Sequence, residues 1–223
     1  DILKPKGVVT FENPHLLKLI EEKQFDTVYH EHFSYLSLTA VNTVFNKNGL
    51  TLFDVEELPV HGGSLRYYAQ RSATGSYPIS KNVEQILQKE RYAGLEKPDS
   101  YKSFQNQAQI IKNEFLKFLR DQKKNGKLVA GYGAAAKGNT LLNFCGVKED
   151  LVNFIVDKNK TKQGMYSPGS KIPIVGEDII AEKKPDIVII FPWNIKAEIE
   201  EQLSYVREWG CKFVVAVPQL STF

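Results

Sequence analysis

Between Lys127 and Pro218 four short apolar runs, "KLVAGYG", "NFIVDKN", "PDIVIIF" and "KFVVAVP", recur with helix-patterned stretches between them. None of the four alternates apolar with polar residues, so each strand has both faces to bury. Such strands, separated by helices, make a parallel sheet covered on both sides, because a parallel crossover needs a dozen or more residues and usually spends them on a helix. Helices are predicted to begin near Lys137 and Ile195, with a short one near Glu177. The fold class is α/β, and the last part of the chain is expected to be a Rossmann-like parallel sheet domain.

The first third has a different rhythm. "VVTFE", Val8–Glu12, reads as a buried strand, and "HLLKLIEE" has helical apolar spacing. "SLTAVNTVFNKNG" reads as a helix capped by Ser37 or Thr39 and stopped by Gly49. Two strands follow, "LTLFDVEELPV" and "SLRYYAQR", joined by His61-Gly62-Gly63, a connection of hairpin length. Strand, helix and closing antiparallel hairpin are analogous to the last third of a class I methyltransferase sheet, an analogy of fold that licenses no function. The polar stretch "SATGSYPISKN", residues 72–82, marks a boundary, and two helices follow, the long one ending at Gly126. Three parts are therefore expected: residues 1–73, a helical connection over 74–126, and the Rossmann-like domain over 127–223. The chain opens at Asp1 on what reads as a helix end, a turn at Pro5–Gly7 and a buried strand, so an N-terminal portion is expected to be missing.

Composition narrows the partners. At 223 residues, 42% hydrophobic and 25% charged, the chain is an ordinary globular protein. It has no run of about 18 apolar residues to span a membrane and no signal peptide. The net charge is +3 and the Lys residues are scattered, which gives nucleic-acid binding no support and favours small-molecule partners. Cys145 and Cys211 lie far apart and read as reduced thiols of a cytoplasmic protein. The oligomeric state is open.

Four constellations can carry chemistry. In "FDTVYHEHFSYLS" the run Tyr29-His30-Glu31-His32 sets a carboxylate beside two imidazoles, where Glu can orient a His acting as general base and Tyr can hold a substrate oxygen. Phe25, Phe33 and Tyr35 are expected to bury part of it; the alternative is a solvated polar loop. In "HGGSLR", His61 and Gly62 can meet a ligand, although Gly-Gly is also what a tight hairpin requires. In "VAGYGAAAKGNT", Gly131, Gly133 and Lys137 join a strand to a helix N-terminus where an anion can bind, with Ala136 standing where a dinucleotide fingerprint has its third glycine. Asp157 ends the next strand near the place of a ribose-binding acid, which supports an NAD reading, yet the same glycines arise where a helix packs tightly on a strand. In "FPWN", Trp193 and Asn194 follow an apolar strand, at the carboxyl end where open α/β sheets bind ligands; Trp193 is equally suited to staple a helix start.

"FDTVYHEHFSYLS", "LPVHGGSLR", "GYGAAAKGNTLLN", "FIVDKNKTKQGMYSPGSKIPI" and "FPWN", in this order, resemble the SAM-dependent C-methyltransferases of nucleotide-linked deoxysugars. The resemblance covers essentially the whole chain and matches the end of that family's methyltransferase domain, residues 1–73, together with its C-terminal domain. It implies S-adenosyl-L-methionine as methyl donor, bound mainly by a glycine-rich loop upstream. It also implies a structural zinc in an N-terminal domain that this chain lacks, and no metal here. The implied substrate is a dTDP-linked 4-keto deoxysugar, methylated at C3 through an enolate. His32 is then the base at C3, Glu31 orients it, and Tyr29 bonds the keto oxygen, with His30 in support. His61, Gly62, Trp193 and Asn194 become substrate-binding, and the Gly131, Gly133 and Lys137 turn meets the diphosphate of the substrate. The chain alone is expected to be inactive. An NAD-dependent oxidoreductase and a silent sugar-nucleotide binding module are the alternatives.

Overall fold

The structure, a computed structural model, describes residues 2–223. The chain divides into two units: residues up to Lys23 with His32–Gln105, and Gln24–Glu31 with Asn106–Phe223.

The first unit is built on a three-stranded antiparallel sheet: β1 (Val8–Pro14), β2 (Leu50–Leu58) and β3 (Ser64–Arg71), in the order β1-β3-β2. Phe11 pairs with Tyr67 in register, and their rings stack at 4.4 Å. Among the described residues β1 pairs with β3 alone and so lies at an edge of this sheet. Pro14, at the end of β1, costs no ladder bond on such an edge. Helices α1 (Leu16–Glu21), α2 (Leu38–Lys47) and α3 (Lys81–Ala93) complete the unit. Its core joins Leu38 and Val41 of α2, Leu52 and Val55 of β2, Leu65 and Tyr67 of β3, and Val83 and Ile86 of α3.

Glu90 holds the helix starts together. It follows Val83 and Ile86 on the buried face of α3 and is fully buried. One oxygen accepts from the His15 imidazole and the Leu38 N–H, each at 2.7 Å. The other accepts from the Thr39 N–H at 2.8 Å and the Thr39 hydroxyl at 2.6 Å. With Ser37 accepting from the Ala40 N–H at 3.1 Å, these bonds cap α2, whose first N–H groups have no partner within the helix.

The second unit carries the expected parallel sheet. Strands β4 (Val129–Tyr132), β5 (Phe154–Val156), β6 (Ile174–Val175), β7 (Ile187–Ile190), β8 (Lys212–Val215) and β9 (Ser221–Thr222) lie in the order β6-β5-β4-β7-β8-β9. All pairs are parallel except β8-β9. Every residue of β4, β5 and β7 is buried, which is why those runs do not alternate. The two-residue strands β6 and β9 are too short for periodicity to announce and rest on their neighbours for definition. Helices α4 (Phe104–Lys124), α5 (Ala136–Cys145), α6 (Asp178–Lys183) and α7 (Lys196–Gln202) complete the unit, with α4 burying Ala108, Ile111, Phe115 and Leu119 along one stripe. Cys145 and Cys211 are buried free thiols. No helix among the described residues is long and apolar enough to cross a membrane.

Candidate functional site

In the second unit the strand order reverses between β4 and β7, the switch point outside whose strand ends open α/β sheets bind ligands. The turn after β4 and the loop after β7 meet there. The Phe191 ring lies against Gly131, where an added Cβ would overlap it, and against Gly138, where a Cβ would fall 2.8 Å from Phe191 Cγ. Gly133 has a φ of 86°, a conformation that favours glycine, and a Cβ there would meet Pro192 at 2.8 Å. Close approach of Phe191 and Pro192 thus accounts for the glycines of "GYGAAAKG". Gly138→Ala is accordingly expected to lower stability by about 1–3 kcal/mol through overpacking, outweighing the roughly 1 kcal/mol that Ala gains in helix propensity; a urea midpoint at or above wild type would contradict this packing.

Lys137, Trp193 and Asn194 come together at this point. The Lys137 ammonium donates to Asn194 Oδ1 at 2.7 Å and lies 4.1 Å from the centroid of the Trp193 ring. Burial pulls the Lys137 pKa down, and the nearby charge of Asp26 opposes that. Trp193 in turn donates its indole N–H to Asp26 Oδ2 at 2.7 Å. Burial pushes the Asp26 carboxyl up to about 6, against the pull of that bond and of Lys137. Asp26 escaped the sequence reading because a lone acid between Phe25 and Thr27 shows no pattern; its partners are more than a hundred residues away.

Asp157 is used by its own neighbourhood. One carboxylate oxygen accepts from the Ala134 N–H at 2.8 Å and the other from the Asn159 N–H at 2.8 Å, with the Lys162 ammonium 3.4 Å away. It therefore closes the β4–α5 turn, a structural use that by itself accounts for an acid at this strand end.

The Tyr29–His32 run falls across the division of the chain. Residues 24–31, with Tyr29, His30 and Glu31, belong to the second unit, and His32 belongs to the first. The single turn Phe25–Thr27 leads into the run, and Phe25 is buried with its ring 5.0 Å from that of Phe144 on α5. Tyr29 is half-buried, and His30 and Glu31 are exposed. His32 is half-buried, its ring edge-on to Tyr35 at 6.2 Å. Phe33 does not bury the segment: it is 97% exposed, in the irregular loop between the half-buried His32 and Tyr35.

His61 and Gly62 lie in the first unit, in a single turn (Val60–Gly62) between β2 and β3. His61 has a φ of 56°, and Gly62 and Gly63 have 88° and 110°. Three successive positive φ values make the reversal, and the Gly63 carbonyl accepts from the His15 N–H at 3.0 Å. A histidine held in the left-handed region without glycine's freedom carries strain of about 1–3 kcal/mol, a feature that clusters at functional sites. Among the described residues no group of three or more His, Cys, Asp or Glu is placed to hold a metal ion.

Comparison with known proteins places the chain in a family. Residues 59–218 match the family model described as the C-methyltransferase C-terminal domain. The chain is 35% identical to C-methyltransferase NovU of Streptomyces niveus over 218 residues, which cover 98% of this chain and 52% of NovU. The chain thus spans about half the length of this curated relative. With the parallel strands β4 to β8 and the glycine-bearing turn at the switch point inside the matched range, the chain belongs to the C-methyltransferase C-terminal domain family.

Proposed function

We propose that this chain is part of an enzyme that moves a methyl group from S-adenosyl-L-methionine to C3 of a dTDP-linked 4-keto deoxysugar. Identity of 35% with a C-methyltransferase over nearly the whole chain carries the reading. A β1-β3-β2 sheet with β1 at an edge among the described residues supports it, since that edge can continue into the rest of a methyltransferase sheet. Residues 1–73 are then the end of the methyltransferase domain, 74–126 the helical connection and 127–223 the C-terminal domain.

The donor, when bound, supplies an electrophilic methyl group. It is held in this reading by residues outside this chain, as is any structural zinc; the described residues offer no glycine-rich loop after a parallel strand in the first unit. What these residues do concerns the sugar. A C–H beside a ketone loses its proton only as charge moves onto the carbonyl oxygen, so the site needs a base at carbon and a donor at oxygen. His32 takes the C3 proton at an imidazole nitrogen, Glu31 orients the ring, and Tyr29 donates its hydroxyl to the keto oxygen. His30 supports the run. His61 and Gly62 bind the sugar, and the loops carrying Gly131, Gly133, Lys137, Trp193 and Asn194 receive the diphosphate end, with the Lys137 charge and the first turn of α5 as attractions.

An active methyltransferase containing this chain, given methyl-labelled donor and a dTDP-4-keto deoxysugar, should place the label on C3. Label on oxygen, or label transferred only to acceptors without a ketone, would overturn the assignment. The 223-residue chain by itself should show no turnover in the same assay.

A further inference from the structure

Asp26 introduces the segment that bears Tyr29 and Glu31, and no step above uses it. It is 1% exposed. One oxygen accepts from the Trp193 indole; the other, Oδ1, is buried and has no hydrogen-bond partner. Lys137 of α5 is the charged group whose field reaches it. Beside it, Phe25 packs on Phe144 of the same helix, so the turn Phe25–Thr27 is fastened to α5 and to the loop after β7 at once. Downstream, Thr27 donates its N–H at 3.1 Å and its hydroxyl at 2.7 Å to Gln24 O, and the Val28 N–H donates to Phe25 O at 3.0 Å, shaping the entry to the motif. A neutral acceptor would hold the indole at a smaller desolvation cost, so what the charge adds is the attraction of Lys137.

We propose that Asp26 is a positioning residue of the methyl-transfer site: its buried carboxylate fastens residues 24–31 to Trp193 and Lys137, and thereby sets where Tyr29 and Glu31 stand. Within the second unit the same contact joins the segment of Tyr29 and Glu31 to the loops proposed to receive the diphosphate. This role rests on the methyl-transfer reading; the fastening itself does not. Because burial raises its pKa to about 6, the carboxylate is charged at neutral pH and loses its hold on Lys137 as pH falls through about 6. Protonation relieves a buried charge, so the native state binds this proton more tightly than the unfolded chain does.

Two readouts need no activity. The chain has two Trp, Trp193 and Trp209, and Trp209 donates to the Pro185 carbonyl at 3.0 Å. The Trp193 indole N–H resonance, assigned by its loss in Trp193→Phe, should shift with a midpoint near pH 6 and stop titrating in Asp26→Asn, while Trp209 stays still. Amide exchange of Thr27 and Val28 should quicken on the order of tenfold in Asp26→Ala, and stay within about twofold of wild type in Asp26→Asn, which keeps an acceptor for the indole. In an active methyltransferase containing this chain, Asp26→Ala should lower kcat on the order of tenfold or more, leave the donor KM unchanged, and be largely rescued by Asp26→Asn. A Trp193 resonance that still titrates in Asp26→Asn, or unchanged exchange in a folded Asp26→Ala, overturns the proposal. Should the wild-type enzyme transfer no methyl group, the functional reading fails, and the indole and exchange measurements still decide whether Asp26 holds the segment.

Discussion

His32→Gln in an active methyltransferase containing this chain is expected to lower methyl transfer by about 10²–10⁴-fold, the usual contribution of a positioned general base. Glutamine keeps a hydrogen-bonding side chain of similar reach but accepts no proton at neutral pH. The C3–H bond would then have to ionise to solvent, and the barrier rises because the carbanion forms without a base beside it. Two further readings separate this role from simple damage. Affinity for S-adenosyl-L-methionine should be unchanged, since His32 is not assigned to the donor. Exchange of the C3 hydrogen with deuterated water, measured without donor, should vanish in step with turnover. Glu31→Gln should lose less, because the base remains and only its orientation suffers. Near-normal turnover in His32→Gln, or full C3 exchange, would remove His32 from the base assignment.

Glu90→Ala should cost about 2–5 kcal/mol of folding stability, because each buried donor left without its acceptor costs about 1–3 kcal/mol and Glu90 serves several. The loss is large because a single carboxylate serves four donors: the His15 imidazole, the Leu38 and Thr39 N–H groups and the Thr39 hydroxyl. Ala leaves all four buried or half-buried without it, uncaps α2 and opens a cavity beside Val83 and Ile86. Glu90→Gln keeps two acceptor lone pairs and should cost less. The pH dependence follows from the same contacts. Burial raises the Glu90 pKa, but the bonds from His15, Thr39 and Leu38 outweigh it and hold the carboxyl below its ordinary 4.5. Its contribution is therefore complete above about 4.5 and is lost as pH falls from there through the native-state value. Urea melts from pH 7 to pH 3 should show a shallower acid limb in Glu90→Gln than in wild type; equal slopes and a midpoint shift below 1 kcal/mol in Glu90→Ala would dismiss the capping account.

The candidate residues differ in how far a linear reading reaches them. Tyr29, Glu31 and His32 stand together in the sequence, so their chemistry can be read locally, and so can the hairpin at His61-Gly62-Gly63. Glu90 left one local sign: an acid three and four residues beyond apolar positions on the buried stripe of an amphipathic helix must find donors or unfold it. Asp26 left none. "GYGAAAKG" illustrates the opposite difficulty, because the same glycines suit an anion, a dinucleotide or a tightly packed aromatic ring, and only the position of Phe191 and Pro192 shows that close packing accounts for them.

Local patterning by itself determined the order and kind of the main elements: unbroken apolar runs demand strands buried on both faces, the Ser37 cap and Gly49 bound a helix, and Gly-Gly turns a hairpin. These are short-range consequences of backbone geometry and of water's exclusion from apolar surface, and they need no distant partner. Tertiary structure decided what lies far apart in sequence: the order in which the strands lie side by side, the use of Asp157 to close its own turn, and the docking of residues 24–27 on α5 with Asp26 beneath Trp193. Each depends on which buried polar group finds which partner after collapse, a choice that many sequence positions make jointly and no single stretch records.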